Sequence, residues 1–274
     1  MFDVTANGAR IPALGFGTFR IAEDDVKRIV PQALKTGFRH IDTAQIYENE
    51  AAVGEAIEMS GIPRKDIFLT TKVWVSNYRH DDFIASVDES LGKLRTDYVD
   101  LLLLHWPNND VPLAEQIGAL NAVHKAGKVR HIGVSNFSTA LMAETVSLSD
   151  APIVTNQVEY HPFLDQSVVM DAANRFGMSL TSYFAMADGK VFENDTLKEL
   201  AADHGKSVAQ IVLRWLIQQN NVVALSKTVN EHRLKENFDI FDFELSSAQM
   251  TVIHDLADAN GRIVSPDGLA PQWD

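Results

Sequence analysis

The sequence predicts an α/β fold, a (β/α)8 TIM barrel in which eight parallel strands close into a ring inside a layer of helices. Eight short apolar segments recur along the chain, and most are continuous apolar runs, as is typical of parallel strands covered on both faces. Amphipathic segments separate them, and a repeat of about 25–30 residues fits right-handed βαβ units that close into a barrel. The predicted strands are Leu14–Gly17, Arg39–Asp42, Ile67–Val73, Val99–Leu104, Val129–Val134, Ile153–Gln157, Ser179–Tyr183 and Val222–Leu225.

Segments outside the strand repeat predict what is added to the barrel. Asn7-Gly8 is the strongest short hairpin signal, and it predicts an N-terminal β-hairpin that caps one barrel end. From Asp81 to Leu94, apolar side chains recur at helical spacing, as expected for a helix that packs on the sheet. Two extra helical segments are expected. The first, Asn194–Gln219, is predicted to contain two helices, and the second, Ser246–Ala257, one helix.

Length and composition favour one large domain. The 274 residues contain 46% hydrophobic side chains and no linker-like tract, so we expect a single domain over residues 1–274. A doubly wound sheet is the alternative α/β fold. The sequence lacks the glycine-rich fingerprint with which that fold holds a dinucleotide phosphate, which favours the barrel.

Charge and composition also limit the partners. A net charge of −13 repels nucleic acid and anionic membranes. The absence of cysteine excludes disulfides, thiolate metal sites and a cysteine nucleophile, and no metal site is predicted. The sequence has no apolar run of roughly 18 residues and no leader-like N-terminus. We expect a cytoplasmic monomer that binds a small molecule, and neither a nucleic acid nor a membrane.

Polar side chains stand where three of the predicted strands end. Asp42 ends the second apolar run, Lys72 lies near the end of the third, and His105 follows the fourth. The carboxyl ends of parallel barrel strands meet at one face, where active sites of this fold lie. A lysine within an apolar strand is costly unless an anion pairs with it, and Asp42 on the neighbouring strand is the candidate. Such a pair is either structural or catalytic.

Tyr47 follows Asp42 by five residues, which is far enough for the chain to turn back over the same barrel mouth. A phenol has an ordinary pKa near 10, and an ammonium group within about 4–6 Å lowers such a pKa by roughly 1–3 units. The sequence therefore predicts that Lys72 lowers the pKa of Tyr47 and makes it a general acid. Taken singly, Tyr47 and His105 fit ordinary packing roles, but their joint placement with Asp42 and Lys72 favours catalysis.

Five motifs in the same order resemble those of the aldo-keto reductase superfamily, and the resemblance runs the whole chain. The motifs are Asp42-Thr43-Ala44 with Tyr47, Lys72-Val73-Trp74, Leu104-His105-Trp106-Pro107, Gly133-Val134-Ser135-Asn136-Phe137 and Asn156-Gln157. The resemblance implies that Tyr47 donates a proton to a substrate carbonyl and that Lys72, paired with Asp42, tunes it. It further implies that His105 orients the carbonyl and that a nicotinamide cofactor supplies the hydride.

The resemblance also assigns the cofactor contacts. Ser135, Asn136 and Gln157 are implied to hold the carboxamide, Tyr183 to stack on the nicotinamide ring, and Thr18-Phe19 to border it. Asp42 is counted among these cofactor contacts.

The family binds the 2′-phosphate at the other end of the cofactor with a cluster of polar side chains. This cluster resembles Ser226-Lys227-Thr228 with Arg233 and Asn237. Two cations, a hydroxyl and an amide suit a phosphate dianion, so NADPH/NADP+ is expected rather than NADH. The chain departs from the family in having Phe184-Ala185-Met186 after Tyr183, where Ser-Pro-Leu is common. This departure removes a hydroxyl near the pyrophosphate.

Within the family, the loop Tyr183–Lys190 and the ending Gly261–Asp274 are similar to the B-type branch of bacterial 2,5-diketo-gluconate reductases. Trp74 and Trp106 are expected to contact substrate together with Tyr47 and His105, and Trp273 either lines the pocket or only packs. The short segment 108–112 leaves the mouth open. We therefore expect small polar carbonyls of the diketo-gluconate type, and methylglyoxal, as substrates.

Two other functions are compatible with the fold. A barrel lyase would use Lys72 as a Schiff-base nucleophile, although pairing with Asp42 would keep that amine protonated. A non-enzymatic, NADP-sensing accessory subunit would use the same fold for binding alone. The presence of all four catalytic-type residues favours the reductase.

Overall fold

The computed structural model describes residues 1–258 and 260–274 and contains a closed barrel of eight parallel strands. The barrel strands follow one another around the ring in chain order, and the last pairs with the first. This confirms the predicted (β/α)8 barrel, with strand ends that differ from the predicted ones by two residues or fewer. The strands are β1 (Asp3–Ala6), β2 (Ala9–Pro12), β3 (Leu14–Gly17), β4 (His40–Asp42), β5 (Phe68–Val73), β6 (Val99–Leu104), β7 (Val129–Ser135), β8 (Ile153–Glu159), β9 (Ser179–Tyr183) and β10 (Val222–Ser226).

Helices connect the barrel strands and cover the outside of the ring. The strands are buried over nearly their whole length, which explains their continuous apolar sequence. The helices are α1 (Glu23–Thr36), α2 (Glu50–Ser60), α3 (His80–Lys93), α4 (Leu113–Lys125), α5 (Thr139–Leu148), α6 (Ser167–Arg175), α7 (Asp195–His204), α8 (Val208–Gln218), α9 (Glu231–Phe238) and α10 (Ser247–His254).

The predicted pair of helices between β9 and β10 is present as α7 and α8. Gly205 takes a left-handed backbone conformation with φ of 62° and ends α7. Ser207 then begins α8 with a capping box, in which its side chain and that of Gln210 bond each other's backbone N–H groups. The same device begins α10 at Ser246, so the predicted third helix is also present.

The hairpin of β1 and β2 covers the barrel end at which the strands begin. Asn7 and Gly8 form its turn with positive φ values of 45° and 88°. The Asn7 amide Nδ2 donates hydrogen bonds to the carbonyl oxygens of Ile153 (2.7 Å) and Phe176 (2.9 Å), which lie where β8 and β9 begin. The hairpin thus caps the barrel end opposite the strand ends that carry Asp42, Lys72 and His105.

In the described ranges, no helix is both long and apolar enough to cross a lipid bilayer.

We expect His40 to make the stability of the barrel depend on pH. Its ring is buried, with Nε2 3.0 Å from the Thr70 hydroxyl, and burial lowers its pKa from 6.5 to about 4. Below pH 6.5, His40 binds a proton in the unfolded chain but stays neutral in the folded protein. The free energy of unfolding therefore falls as the pH falls below that value. Between pH 7 and pH 5, this histidine should lower the free energy of unfolding by about 2 kcal/mol.

Urea unfolding of the wild type and of a His40→Gln variant at both pH values measures this effect. Other acidic and histidine groups act on both proteins alike, so the difference between their pH dependences isolates His40. Equal pH dependence in the two proteins would contradict the expectation.

Candidate active site

The ammonium group of Lys72 lies at the centre of the polar barrel mouth. Its Nζ donates hydrogen bonds to Asp42 Oδ1 (2.6 Å), to the Thr43 carbonyl oxygen (2.9 Å) and to the Tyr47 hydroxyl (3.4 Å). An ammonium has three donors, so each has an acceptor. The side chain is fully buried. Burial lowers the pKa of Lys72, while the Asp42 carboxylate opposes that shift.

The second oxygen of Asp42 is also bonded. Gln157, from β8 on another side of the ring, donates from Nε2 to Asp42 Oδ2 at 2.8 Å. A buried ion pair is stable only when its remaining lone pairs and protons have partners, and this amide provides the missing partner. The family resemblance implies that Gln157 holds the cofactor carboxamide. In the structure its amide nitrogen bonds Asp42, a contact that spacing along the chain does not reveal.

Tyr47 is placed beside Lys72 by a short 3-10 turn, Gln45–Tyr47, directly after β4. The predicted direction of its pKa shift is wrong: burial and the Asp42 carboxylate raise the pKa of Tyr47 well above 10. Because Asp42 lies 2.6 Å from the Lys72 ammonium, it largely cancels that positive charge at the phenol, and the cost of burying a phenolate remains. Tyr47 is thus a neutral phenol that holds its proton.

The direction of the Lys72–Tyr47 bond leaves the phenolic proton free. Lysine ammonium has no acceptor, so Nζ donates and the Tyr47 oxygen accepts. The hydroxyl hydrogen of Tyr47 must therefore point to another acceptor. This geometry is suited to proton donation.

His105 follows β6 and stands against Tyr47 and Trp74. Its ring centroid lies 5.7 Å from that of Tyr47 and 5.2 Å from that of Trp74, both in edge-to-face geometry. Burial and the Lys72 charge hold the pKa of His105 well below 6.5, so its imidazole is neutral at pH 7. Within residues 1–258 and 260–274, its Nδ1 has no hydrogen-bond partner.

Two positioning residues beside Tyr47 were missed by sequence reasoning. Asn49 is buried, and its amide bonds the Thr18 carbonyl (3.0 Å), the Ile21 carbonyl (3.1 Å) and the Thr43 hydroxyl (3.0 Å). It thereby ties the segment after β3 to the segment after β4. Gln45 accepts hydrogen bonds from the Trp74 backbone N–H (2.9 Å) and from the Asn77 amide (3.1 Å). An asparagine and a glutamine flanking the tyrosine were the available signal.

The residues assigned to the carboxamide and the ring form one network. Asn136 has a left-handed backbone with φ of 64°, and its Oδ1 accepts a hydrogen bond from the Tyr183 hydroxyl at 2.7 Å. Its Nδ2 donates to the His105 carbonyl at 3.1 Å, and Ser135 donates from its hydroxyl to the Gln157 carbonyl at 2.7 Å. The network joins the ends of β7, β8 and β9 to His105.

On the rim of the same mouth, Phe19 is 42% exposed and its ring centroid lies 4.9 Å from that of Tyr47. Thr18, beside it, is buried and donates from its hydroxyl to the Asp42 carbonyl at 3.1 Å. Trp106 is buried and packs edge to face against Trp273 with centroids 6.3 Å apart.

The predicted phosphate clamp lies where β10 ends and α9 begins. Lys227 and Arg233 are exposed, and neither forms an ion pair with any residue that the structure describes. Thr228 is buried, and its hydroxyl accepts the backbone N–H of Asn230, the N-cap of α9. The Asn237 amide instead donates to the Ser226 hydroxyl at 3.4 Å. Burial and the nearby Arg20 lower the pKa of Lys227.

A closed barrel that gathers buried titratable side chains at the carboxyl ends of its strands has the architecture of an enzyme active site. The model of the aldo/keto reductase family matches residues 13–258, and the chain belongs to this family.

The chain is similar to several known proteins over nearly its full length. It is 44% identical over 267 residues to the methylglyoxal reductase DkgB of Escherichia coli O157:H7, covering 96% of this chain and 99% of that one. It is 68% identical, with a TM-score of 0.99, to a crystal structure assigned as a 2,5-diketo-D-gluconic acid reductase B, covering 100% and 98% of the two chains. An aldo-keto reductase of Bombyx mori in complex with NADP is 30% identical, with a TM-score of 0.87 and 94% of each chain covered.

We expect an Asp42→Asn variant to lose about 3–5 kcal/mol of the free energy of unfolding, because it leaves the Lys72 ammonium buried without a counter-charge. Urea unfolding at pH 7 measures this loss. A double variant that also carries Lys72→Met removes the orphaned charge and should be more stable than Asp42→Asn alone. Wild-type stability of the single variant would show that the ion pair does not hold the site together.

Proposed function

We propose that this protein reduces small polar aldehydes and ketones to alcohols with NADPH, with Tyr47 as the general acid. The observation that carries the proposal is the hydrogen-bonded chain from Asp42 through Lys72 to the Tyr47 hydroxyl. The family of the chain and the methylglyoxal and diketo-gluconic acid reductases it resembles support the class of substrate.

The proton step follows from the direction of these hydrogen bonds. The nicotinamide would supply a hydride to the carbonyl carbon, which leaves negative charge on the carbonyl oxygen. The Tyr47 hydroxyl, whose proton is not used by Lys72, would give that proton to the oxygen. The Lys72 ammonium already donates to the phenolic oxygen and would stabilise the phenolate that forms. The high pKa of the resting phenol means that this stabilisation matters at the moment of transfer.

His105 would position the carbonyl. Its ring is neutral, so one ring nitrogen carries a hydrogen that can be donated without placing a second positive charge beside Lys72. Tyr47 and Trp74 hold the ring from two sides, which fixes its orientation. Tyr47 and His105 would thus contact the same substrate oxygen, while Trp74 and Trp106 contact the rest of the substrate.

The described residues fit a phosphorylated dinucleotide. Ser135, Asn136, Gln157 and Tyr183 would surround the nicotinamide end, with Thr18, Phe19 and Asp42 beside it. Lys227 and Arg233 would hold the 2′-phosphate with Thr228, because both cations are exposed and lack a carboxylate partner within the described part of the chain. Asn237 would act there through its contact with Ser226.

We propose a monomer, a single domain of residues 1–274, as the working unit. We also propose a cytoplasmic location.

The lyase alternative finds little support in the geometry. Lys72 gives its three donors to three acceptors, one of them a carboxylate, and a Schiff-base nucleophile needs a free amine. Borohydride trapping of a carbonyl onto Lys72 would favour the lyase. An accessory subunit would bind NADPH and turn over no carbonyl.

A Tyr47→Phe variant should lose about 10²- to 10⁴-fold in kcat/KM, which is the usual contribution of a general acid. It should bind NADPH as the wild type does. NADPH oxidation is measured with methylglyoxal, 2,5-diketo-gluconate and other small carbonyls, and cofactor affinity is measured by fluorescence titration. If the wild type oxidised NADPH with none of these carbonyls, the proposed reductase activity would be wrong.

A Lys227→Met variant should raise the Kd for NADPH by roughly tenfold or more, since it removes a charge-assisted bond to the phosphate. Its Kd for NADH should change little. Lys235→Met, which removes the same charge from an exposed position on α9, is the matched control. Equal loss of affinity for both cofactors would place Lys227 elsewhere than at the 2′-phosphate.

A further inference from the structure

The C-terminal segment, residues 261–274, is anchored to the barrel mouth by a buried carboxylate. Glu159 ends β8 and is 0% exposed. It accepts hydrogen bonds from the backbone N–H groups of Ile263 (2.7 Å) and Val264 (2.8 Å), and its Oε1 lies 2.9 Å from His161 Nε2. Both carboxylate oxygens are therefore occupied by the segment and by a neighbour on the barrel.

The far end of the segment is anchored as well. The Asp274 carboxylate accepts a hydrogen bond from the Thr139 backbone N–H at 2.9 Å, in the first turn of α5, and another from the Thr139 hydroxyl. The Trp273 indole donates to the Ser265 hydroxyl at 3.1 Å. Because both ends are held, the Trp273 ring lies edge to face against Trp106, the residue after His105.

Arg262 places a cation beside Trp273, on the wall of the barrel mouth that Trp273 and Trp106 form. Its guanidinium carbon stands 3.7 Å from the centre of the Trp273 ring, and its side chain is only 17% exposed. Among residues 1–258 and 260–274, no group accepts a hydrogen bond from this guanidinium, and its buried Nη1 lacks a partner. The nearest carboxylate oxygen, Glu159 Oε2, is 3.9 Å away and already accepts from Val264.

This environment favours an incoming anion. Withdrawing a guanidinium from water costs free energy unless an acceptor replaces the lost hydration, and burial lowers the pKa of Arg262 accordingly. The carboxylates of Glu159 and Asp274 lie close enough to oppose this lowering of the Arg262 pKa. Their oxygens, however, accept hydrogen bonds from the groups named above and none from the guanidinium. A planar guanidinium with free donors matches a carboxylate in a two-pronged bond.

We infer that Arg262 binds a carboxylate of the substrate while the carbonyl at the other end of the molecule lies at Tyr47 and His105. The inference rests on the proposed reductase function and names its substrate class, carbonyl compounds that also carry an acid group. The chain has a net charge of −13 and repels such molecules over most of its surface. A cation on the wall next to Trp106 would reverse that repulsion where the substrate enters.

Two aldehydes of equal shape separate charge from size. 4-Carboxybenzaldehyde carries its carboxylate opposite the aldehyde, and 4-nitrobenzaldehyde carries an uncharged group of the same geometry there. In an Arg262→Met variant, KM for the carboxylate should rise about tenfold or more, the usual effect of losing a charge-assisted bond. KM for the nitro compound should stay within about twofold. Arg10→Met, at the opposite end of the barrel, gives the same change in net charge and should alter neither KM.

A binding measurement keeps this inference separate from the proposed function. Titration of the tryptophan fluorescence with benzoate reports carboxylate binding whether or not any aldehyde is reduced. Weaker benzoate binding in Arg262→Met, but not in Arg10→Met, would support the inference. Equal changes in both KM values, or benzoate affinity that does not depend on Arg262, would overturn it. Failure of the wild type to reduce the nitro compound or any other aldehyde would overturn the proposed function instead.

Discussion

The buried ion pair of Lys72 and Asp42 is the interaction on which the site depends. The two charges lie 2.6 Å apart in the barrel mouth, away from water. Such a pair is tolerated only if every remaining donor and acceptor is bonded, and here Thr43, Tyr47 and Gln157 meet that need. The tyrosine and the glutamine are thus held by the same electrostatic requirement that keeps the lysine buried.

The barrel topology brings together the residues that this ion pair needs. Asp42, Lys72 and His105 end three consecutive strands and therefore meet at one face, although they are separated by 30 residues or more along the chain. Asn49 then joins the loops after β3 and β4, so the backbone around Tyr47 is fixed from both sides. The opposite barrel end, covered by the hairpin, is free to serve stability alone.

Three cations near the same mouth donate no hydrogen bond to a carboxylate in the described residues. Lys227 and Arg233 stand after β10, and Arg262 stands on the segment held by Glu159. In a chain with a net charge of −13, such cations focus anions at that face, which suits a phosphorylated cofactor and an acidic substrate. The charge pattern and the strand topology therefore both indicate the barrel mouth as the binding surface.

The sequence by itself determined the barrel, because eight continuous apolar runs at a regular spacing admit few other folds, and its strand-end residues indicated the candidate site. It did not determine the sign of the Tyr47 pKa shift, because that depends on how Asp42 offsets the charge of Lys72 in three dimensions. It also missed Asn49, the bond from Gln157 to Asp42, and the guanidinium of Arg262 on Trp273. Asn49 and Gln157 bond residues far from them in the chain, and Arg262 meets Trp273, eleven residues on, where Glu159 and Thr139 hold that segment against the barrel. A local pattern carries no information about which distant groups share a buried space.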